Sequence, residues 1–265
     1  FNRVVSVRAP EKDDVIIPTE SEILNIFDEV KNIPISPYVD IVSDEPLIAV
    51  LPDPGKMLNE KNHSSVGITE WRLDNGVRIL LKPTEFKNDE ILFKAYSPGG
   101  TSLASDEDFL SADLATDIIS ESGIGNFSSI QLEKKLSGKI VNISPYVSEL
   151  YEGLRGSASP QDIETLFQLI YLHVTAARLD SSAFKSFLTR TAGWLENWKS
   201  RPESVFQDTL SVTLSQNHIR KRPLTANLLP ETDLHAAVNF YRDRFGDAGD
   251  FTFILVGNFE TDTIK

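Results

Sequence analysis

The strongest fold signal in the chain runs from residue 69 to residue 83: Thr69-Glu-Trp-Arg-Leu-Asp-Asn-Gly-Val-Arg-Ile-Leu-Leu-Lys-Pro83. Two strand-like runs flank Asn75-Gly76, a dipeptide that supplies the positive φ angles of a type I′ turn. The stretch therefore predicts a β-hairpin. Residues 90–97 predict a third strand, which ends at Pro98-Gly99-Gly100.

Helical and strand-like segments follow this hairpin as far as residue 257. Apolar periodicity predicts helices over about 105–122, 128–136, 160–178, 181–200, 203–217 and 232–245, and strands over 139–147, 149–159 and 250–257. Gly123 is expected to end the first of these helices. Because the strands lie in hairpins that runs of helices interrupt, the pattern predicts an α+β fold, with a largely antiparallel sheet packed against several helices.

The first 65 residues differ from the rest of the chain in composition and pattern. They are irregular in pattern and rich in proline and acidic residues. Residues 3–8 predict a strand, and Thr19 with Glu22 is a capping-box signal for a helix with an apolar stripe over residues 23–30. Residues 34–54 predict an extended linker. One strand and one helix cannot build a core, so we predict two regions, 1–65 and a compact α+β domain over 66–265.

The composition excludes several classes of partner and site. The net charge of −13 disfavours binding to nucleic acids and to anionic membrane surfaces. The chain has no cysteine, which excludes disulfides, thiolate zinc sites and a cysteine nucleophile. No apolar run approaches the roughly 18–20 residues of a membrane span.

The order of the landmarks resembles a domain of the insulinase (pitrilysin, M16) zinc metallopeptidases. The resemblance rests on residues 75–79, on the glycine loop at residues 97–101, on Arg201-Pro202-Glu203, and on the ending formed by residues 238–246 and 251–259. It covers residues 66–265, which is one complete domain of that family. Peptidases of this family contain four related domains, paired in two halves, of which the first carries the zinc. The resemblance implies that residues 1–65 are the terminal strand of the first half plus the linker between the halves, and that residues 66–265 are the third domain.

The metal motif of the family is degenerate in this chain. Active domains carry His-x-x-Glu-His on the first helix after the glycine loop, where the two histidines share one helical face and bind zinc. The glutamate between them acts as general base. With Gly123 setting the register, the positions of the two histidines hold Leu114 and Ile118, and the position of the base holds Asp117. Leucine and isoleucine cannot ligate zinc.

A further glutamate ligand would lie roughly seventy-five residues later, near Gly193 or Trp194. Neither residue is a ligand, and Glu196, which lies close by, would have no histidine partners. The histidines of the chain, His63, His173, His218 and His235, have no spacing that would place two of them on one metal. We therefore expect no catalytic or metal-binding residues at the degenerate motif, and no cofactor in this chain.

Other polar clusters have ordinary structural explanations. Gly123-Ile124-Gly125 is expected to be a helix cap rather than a phosphate loop, and Asp106-Glu107-Asp108 to be charge in the first turn of a helix. Arg220-Lys221-Arg222 is expected to be a solvated loop, with contact to an acidic partner as the alternative. Trp194 and Trp198, four residues apart, are expected to pack in the core or between domains.

Two functions remain open. The first is a non-catalytic domain of a zinc metalloendopeptidase, which encloses peptides or unfolded chains opposite a zinc site in the N-terminal half of the same polypeptide. The second is a scaffold or interaction module without peptidase activity. The bacterial periplasm or cell envelope is one expectation for the location, although a cysteine-free chain is compatible with any redox compartment.

Overall fold

The structure, a computed structural model, describes residues 4–9, 16–34 and 45–264. The chain divides into two units, residues 1–41 and residues 42–265. In the first unit, helix α1 spans Glu20–Lys31 and begins with the predicted capping box, in which Thr19 and Glu22 satisfy each other's backbone N–H groups. Residues 4–9 form no strand in this structure, and the assignment of residues 3–8 to a terminal strand of a preceding half stays a prediction. Their side chains are exposed, which leaves these residues without the pairing partner that a strand needs.

The second unit contains one seven-stranded sheet and seven α-helices among its described residues. The strands are β1 (Met57–His63), β2 (Ile68–Leu73), β3 (Arg78–Pro83), β4 (Ile91–Pro98), β5 (Val141–Val147), β6 (Tyr151–Ala158) and β7 (Thr252–Gly257). The helices are α2 (Phe109–Asp113), α3 (Ala115–Ser122), α4 (Ser129–Lys135), α5 (Ile163–Thr175), α6 (Ser181–Lys199), α7 (Pro202–Leu214) and α8 (Leu234–Phe245).

The strand order is β1-β2-β3-β7-β4-β6-β5. All neighbours pair antiparallel except β3 and β7, which are parallel. The last strand of the chain thus lies in the middle of the sheet, between the first hairpin and β4. This confirms the predicted α+β fold with a largely antiparallel sheet packed against helices.

The sheet begins earlier in the chain than the sequence indicated. Strand β1 lies ahead of residue 66, within the region predicted as linker, and six of its seven residues are exposed. Its sequence, Met-Leu-Asn-Glu-Lys-Asn-His, has no alternation of apolar and polar residues, because β1 is an edge strand that buries little of either face. The remainder of the predicted linker lies partly outside the described residues, and residues 45–56 form no helix or strand.

The predicted β2–β3 hairpin is confirmed, but the predicted type I′ turn is wrong. Gly76 has φ +94°, whereas Asn75 is not among the residues with positive φ. The N–H of Gly76 donates to the carbonyl of Leu73, and the N–H of Leu73 donates to the carbonyl of Val77. The loop is therefore a β-turn followed by a left-handed glycine, the next most common way to close a hairpin.

The helix predicted over residues 105–122 forms as two pieces. A 3₁₀ turn spans Gly100–Leu103, and α2 and α3 follow with an interruption at Leu114. Gly123 ends α3 as predicted, with φ +86°. A Cβ atom at this position would lie 2.2 Å from the carbonyl oxygen of Phe127, so only glycine fits the turn that leads to α4.

The core lies between one face of the sheet and the helices, chiefly α3, α5 and α8. Tyr241 and Phe245 of α8 are fully buried and stack with ring centroids 4.1 Å apart. The hydroxyl of Tyr241 lies 3.1 Å from Nδ1 of His173 on α5. Burial lowers the pKa of His173 to about 4, so this ring is neutral and belongs to the core. Within the described residues, no helix is long and apolar enough to cross a membrane.

Candidate functional site

The two positions that correspond to the family's histidines face the hydrophobic core. Leu114, at the junction of α2 and α3, is 7% exposed, and Ile118, one turn further along α3, is 0% exposed. Both belong to the central cluster of apolar side chains. Since residues four apart lie on the same side of a helix, the pair forms one apolar face where the active domains of the family have a metal-binding face.

Helix α6 contributes a buried apolar side chain to the same core cluster. Helices α3 and α6 pack against each other, and Leu195 is the buried residue of α6, at 3% exposure, in the same core cluster as Leu114 and Ile118. The residues counted from the sequence, Gly193, Trp194 and Glu196, are all exposed. Leu195 lies between the residues that were counted from the sequence, on a helix whose Phe184, Phe187, Leu188 and Ala192 also pack against the core.

The acidic residues of this helix pair point outward. Asp113 and Asp117 are open to solvent on the side of α2–α3 away from the core. The pKa of Asp117 is raised, first by partial desolvation and then by the charge of Glu121. The pKa of Asp113 is raised in the same way, with Asp117 as the neighbouring charge. Glu121 itself is paired with Arg190 of α6, with 2.6 Å between Oε1 and Nη2. Asp117 is therefore exposed, whereas the residues at the two histidine positions, Leu114 and Ile118, are buried.

These residues do not fit a zinc ion. Leu114, Ile118 and Leu195 offer no lone pair to a metal, and all three are buried in the hydrophobic core. Across residues 4–9, 16–34 and 45–264 there is no group of three or more His, Cys, Asp or Glu side chains that could hold a metal ion. What the arrangement can do is bury apolar surface and join α3 to α6.

The glycine loop that leads into this helix is held by a buried carboxylate. Glu152 of β6 is 1% exposed, and its Oε2 accepts a hydrogen bond from the N–H of Gly100. A Cβ atom on Gly100 would lie 2.2 Å from the carbonyl oxygen of Ser148. Desolvation raises the pKa of Glu152, although the N–H of Gly100 and the charge of Arg244 oppose that shift. Sequence reasoning found the loop and missed Glu152, which nothing in the local pattern marks as buried.

The four histidines lie in separate places, as their spacing suggested. Nε2 of His63, on β1, is 2.8 Å from Oε2 of Glu70 on β2. Arg78 also pairs with this glutamate, and the pKa of Glu70 is lowered to about 2, mainly by the hydrogen bonds from Arg78 and His63. His173 is in the core, His218 precedes a 3₁₀ turn after α7, and His235 is an exposed residue of α8.

The basic segment after α7 is only partly the solvated loop that we predicted, because Lys221 and Arg222 are exposed whereas Arg220 is half-buried. Arg220 donates through Nε to Oδ1 of Asp106 at 2.6 Å, and through its two Nη atoms to the carbonyls of Thr101 and Ala104 at 3.1 and 2.8 Å. Its guanidinium also lies over the ring of Phe109, 5.2 Å from the centroid. The prediction is wrong for Arg220, because the loop after Gly100 brings Asp106 and the carbonyls of Thr101 and Ala104 within reach of its guanidinium. Asp106 precedes α2 and serves as the partner of Arg220.

Of the two remaining predictions, the turn at Gly123–Gly125 is confirmed, whereas packing of Trp194 in the core is not. Gly125 has φ +56° and its N–H donates to the carbonyl of Ala176, which confirms the turn at Gly123–Gly125. Trp194 and Trp198 stack with centroids 5.1 Å apart, but Trp194 is 56% exposed and does not belong to the core.

The chain is similar in sequence to zinc proteases. No family model matches it. It is 24% identical over 260 residues to "Zinc protease PQQL-like" from Arabidopsis thaliana, an alignment that covers 98% of this chain and 23% of the relative. Its fold matches the crystal structure of the periplasmic protease PqqL from Escherichia coli with a TM-score of 0.71 and 22% identity, over 93% of this chain and 27% of that one.

The chain is related to the insulinase-like M16 zinc proteases. It spans 23% of the length of the curated relatives that it matches. Its fold also matches the structure of the first half of the E. coli protease PqqL, with a TM-score of 0.57 and 16% identity, over 79% of this chain and 45% of that half. The M16 domain fold seen here is thus present within that first half as well.

Proposed function

We propose that this chain is a non-catalytic domain of a zinc-dependent metalloendopeptidase. In this proposal residues 57–265, which include β1 of the sheet, are the first domain of the inactive half, and the residues before them hold the end of the preceding half and the linker. The zinc ion and the catalytic residues belong to the N-terminal half of the same polypeptide. Zinc is then a cofactor of the parent protein and is bound outside this chain.

The observation that carries the proposal is the apolar junction of α3 and α6. A domain that once bound zinc between these helices would need polar ligands there, whereas Leu114, Ile118 and Leu195 are buried in the core. The relationship to zinc proteases supports a peptidase as the parent, and the 23% coverage of the relatives leaves room for a separate catalytic half. Both observations are accounted for if catalysis was lost in this domain while the fold was kept.

The role left to such a domain is to enclose the substrate. A wall opposite the zinc site excludes bulk water and limits the size of the chain that enters, and both effects favour hydrolysis of peptides or unfolded chains over folded proteins. The location that we propose is the bacterial periplasm or cell envelope, because the E. coli structure that this chain resembles is described as a periplasmic protease.

A scaffold function is the second candidate. Trp194 on α6 and Phe206 and Leu214 on α7 are large apolar residues that are more than half exposed. Such a surface is typical of protein contacts. If the N-terminal half of the parent protein also lacks His-x-x-Glu-His, the chain belongs to an interaction module rather than to a peptidase.

The proposal is tested by comparing the isolated chain with its full-length parent. An internally quenched peptide is incubated with each protein, with and without a chelator. We expect chelator-sensitive hydrolysis by the parent alone. Hydrolysis by the isolated chain that a chelator abolishes would refute the non-catalytic assignment. A folded parent without activity, whose N-terminal half lacks the motif, would favour the scaffold function.

A further inference from the structure

A polar cleft of about 710 Å³ lies beside the glycine loop, on the outer side of α2. Thr101 and Ser102 line it from the loop, Asp113 from the end of α2, and His218 and Lys221 from the segment after α7. The cleft is separate from the apolar junction of α3 and α6, because Asp113 points away from the core that contains Leu114.

The wall formed by residues 216–221 is held in a fixed and strained conformation. Gln216 and Asn217 both have left-handed backbones, with φ +54° and +59°, which costs non-glycine residues of the order of 1–2 kcal/mol each. Arg220 ties this segment to the loop on the opposite side through the carbonyls of Thr101 and Ala104. The two sides of the cleft are therefore joined before any ligand arrives.

Two groups of the cleft remain available to a ligand. In the described part of the chain, the carboxylate of Asp113 has no hydrogen-bonded or ion-paired partner, whereas Lys221 pairs with Glu149 at 3.2 Å. Nδ1 of His218 accepts the N–H of Arg220 at 3.2 Å. In the neutral ring the proton is then on Nε2, which becomes a donor.

The charges favour a cation as the ligand. Among the charged side chains that line the cleft, Asp106 pairs with Arg220 and Glu149 pairs with Lys221, which leaves the carboxylate of Asp113 without an ion pair within the described residues. The nearby charge of Asp117 adds to the negative charge at Asp113 and repels its ionised form. A bound cation would relieve this repulsion. The volume exceeds what a single ion needs, and no group of three His, Cys, Asp or Glu side chains that could hold a metal lies within the described residues. A side chain attached to a peptide backbone suits both the charge and the space.

We propose that this cleft is a subsite for a basic residue of a peptide, with the carboxylate of Asp113 pairing with the guanidinium or ammonium group and Nε2–H of His218 donating to a carbonyl of the same peptide. The choice of a peptide as ligand rests on the proposed function, in which peptide chains pass along this domain. Lys221, as a cation next to Asp113, competes with the ligand.

The test is a titration of the isotope-labelled 265-residue chain with acetyl-Gly-Gly-Arg-Gly-Gly-amide, followed by nuclear magnetic resonance. The same peptide with glutamine in place of arginine is the control ligand. We expect the arginine peptide to shift the amide signals of Thr101 and Ser102 and to lower the pKa of Asp113. Asp113→Asn should weaken binding by about 5- to 10-fold, as for the loss of one charge-assisted pair.

Two further variants make the outcome decisive. Asp53→Asn removes the same charge from an exposed carboxylate of the 45–56 segment and should leave binding unchanged. Lys221→Gln should strengthen binding, because it removes the competing cation. Equal binding of both peptides, binding unaffected by Asp113→Asn, weaker binding by Lys221→Gln, or no binding overturns the inference. None of these results affects the proposed function, which the chelator experiment on the parent protein tests separately.

Discussion

Ile118→His returns one histidine of His-x-x-Glu-His to its position, and we expect it to destabilise the chain. Ile118 is 0% exposed, so the change gives up a buried aliphatic side chain, worth about 1.5–3 kcal/mol. It also buries an imidazole with no hydrogen-bond partner, at about 1–3 kcal/mol. Together these terms predict a loss of about 2.5–6 kcal/mol in the free energy of unfolding, out of the roughly 5–15 kcal/mol of a typical domain.

The measurement is urea unfolding followed by circular dichroism at pH 8, where histidine is neutral. Asp117→His is the matched control, because it places the same residue one position away on the exposed side of α3 and should change the free energy by about 0.5 kcal/mol or less. The double variant Leu114→His/Ile118→His with added zinc completes the series, and we expect no stabilisation by the metal. If Ile118→His lowers the free energy of unfolding by no more than Asp117→His does, the assignment of this face to the core is refuted. The assignment is also refuted if zinc at about 100 times its Kd stabilises the double variant by about 2.7 kcal/mol.

Three further predictions concern the loop and the buried titratable groups. Gly100→Ala should cost at least about 2 kcal/mol in urea unfolding, because φ is +66° and the new Cβ would lie 2.2 Å from the carbonyl oxygen of Ser148; an unchanged midpoint would contradict this. Glu152 has a folded pKa above its unfolded value, so its contribution to stability is present below the unfolded pKa and lost as the pH rises through the folded pKa. Glu152→Gln should flatten that decline in a series of unfolding curves, and an identical slope in both proteins would count against a buried carboxyl. His173 has a pKa of about 4 in the folded chain, against the ordinary value of 6.5 that applies to the unfolded chain. It therefore contributes up to about 3 kcal/mol of stability above pH 6.5, and this contribution is lost as the pH falls towards 4. His173→Gln should reduce this acid sensitivity, and retention of the full loss would show that other groups cause it.

The elements with strong local signals were predicted well. The Asn75-Gly76 hairpin, the Thr19 capping box and the Gly123 helix end each depend on residues within a few positions of one another, so the sequence carries the information directly. The residues at the degenerate motif could also be placed, because Leu114 and Ile118 are apolar residues one helical turn apart, in register with Gly123. That they belong to the core was visible only in the structure.

The features that were missed depend on partners distant in the sequence. Leu195 is buried because α6 packs on α3, and Glu152 is buried because β6 lies beside the glycine loop. Arg220 was expected to be solvated, yet it contacts Asp106, which is 114 positions away. Strand β1 has no apolar alternation because it lies at the edge of the sheet. In each case the neighbour, and not the local pattern, determines the environment.

The most direct test of the account is the zinc content of the 265-residue chain, determined by mass spectrometry after equilibration with zinc and gel filtration. The account predicts a zinc content far below one equivalent, because Leu114, Ile118 and Leu195 present no ligand to a metal. About one equivalent of tightly bound zinc in the folded chain would contradict the claim that this domain is non-catalytic.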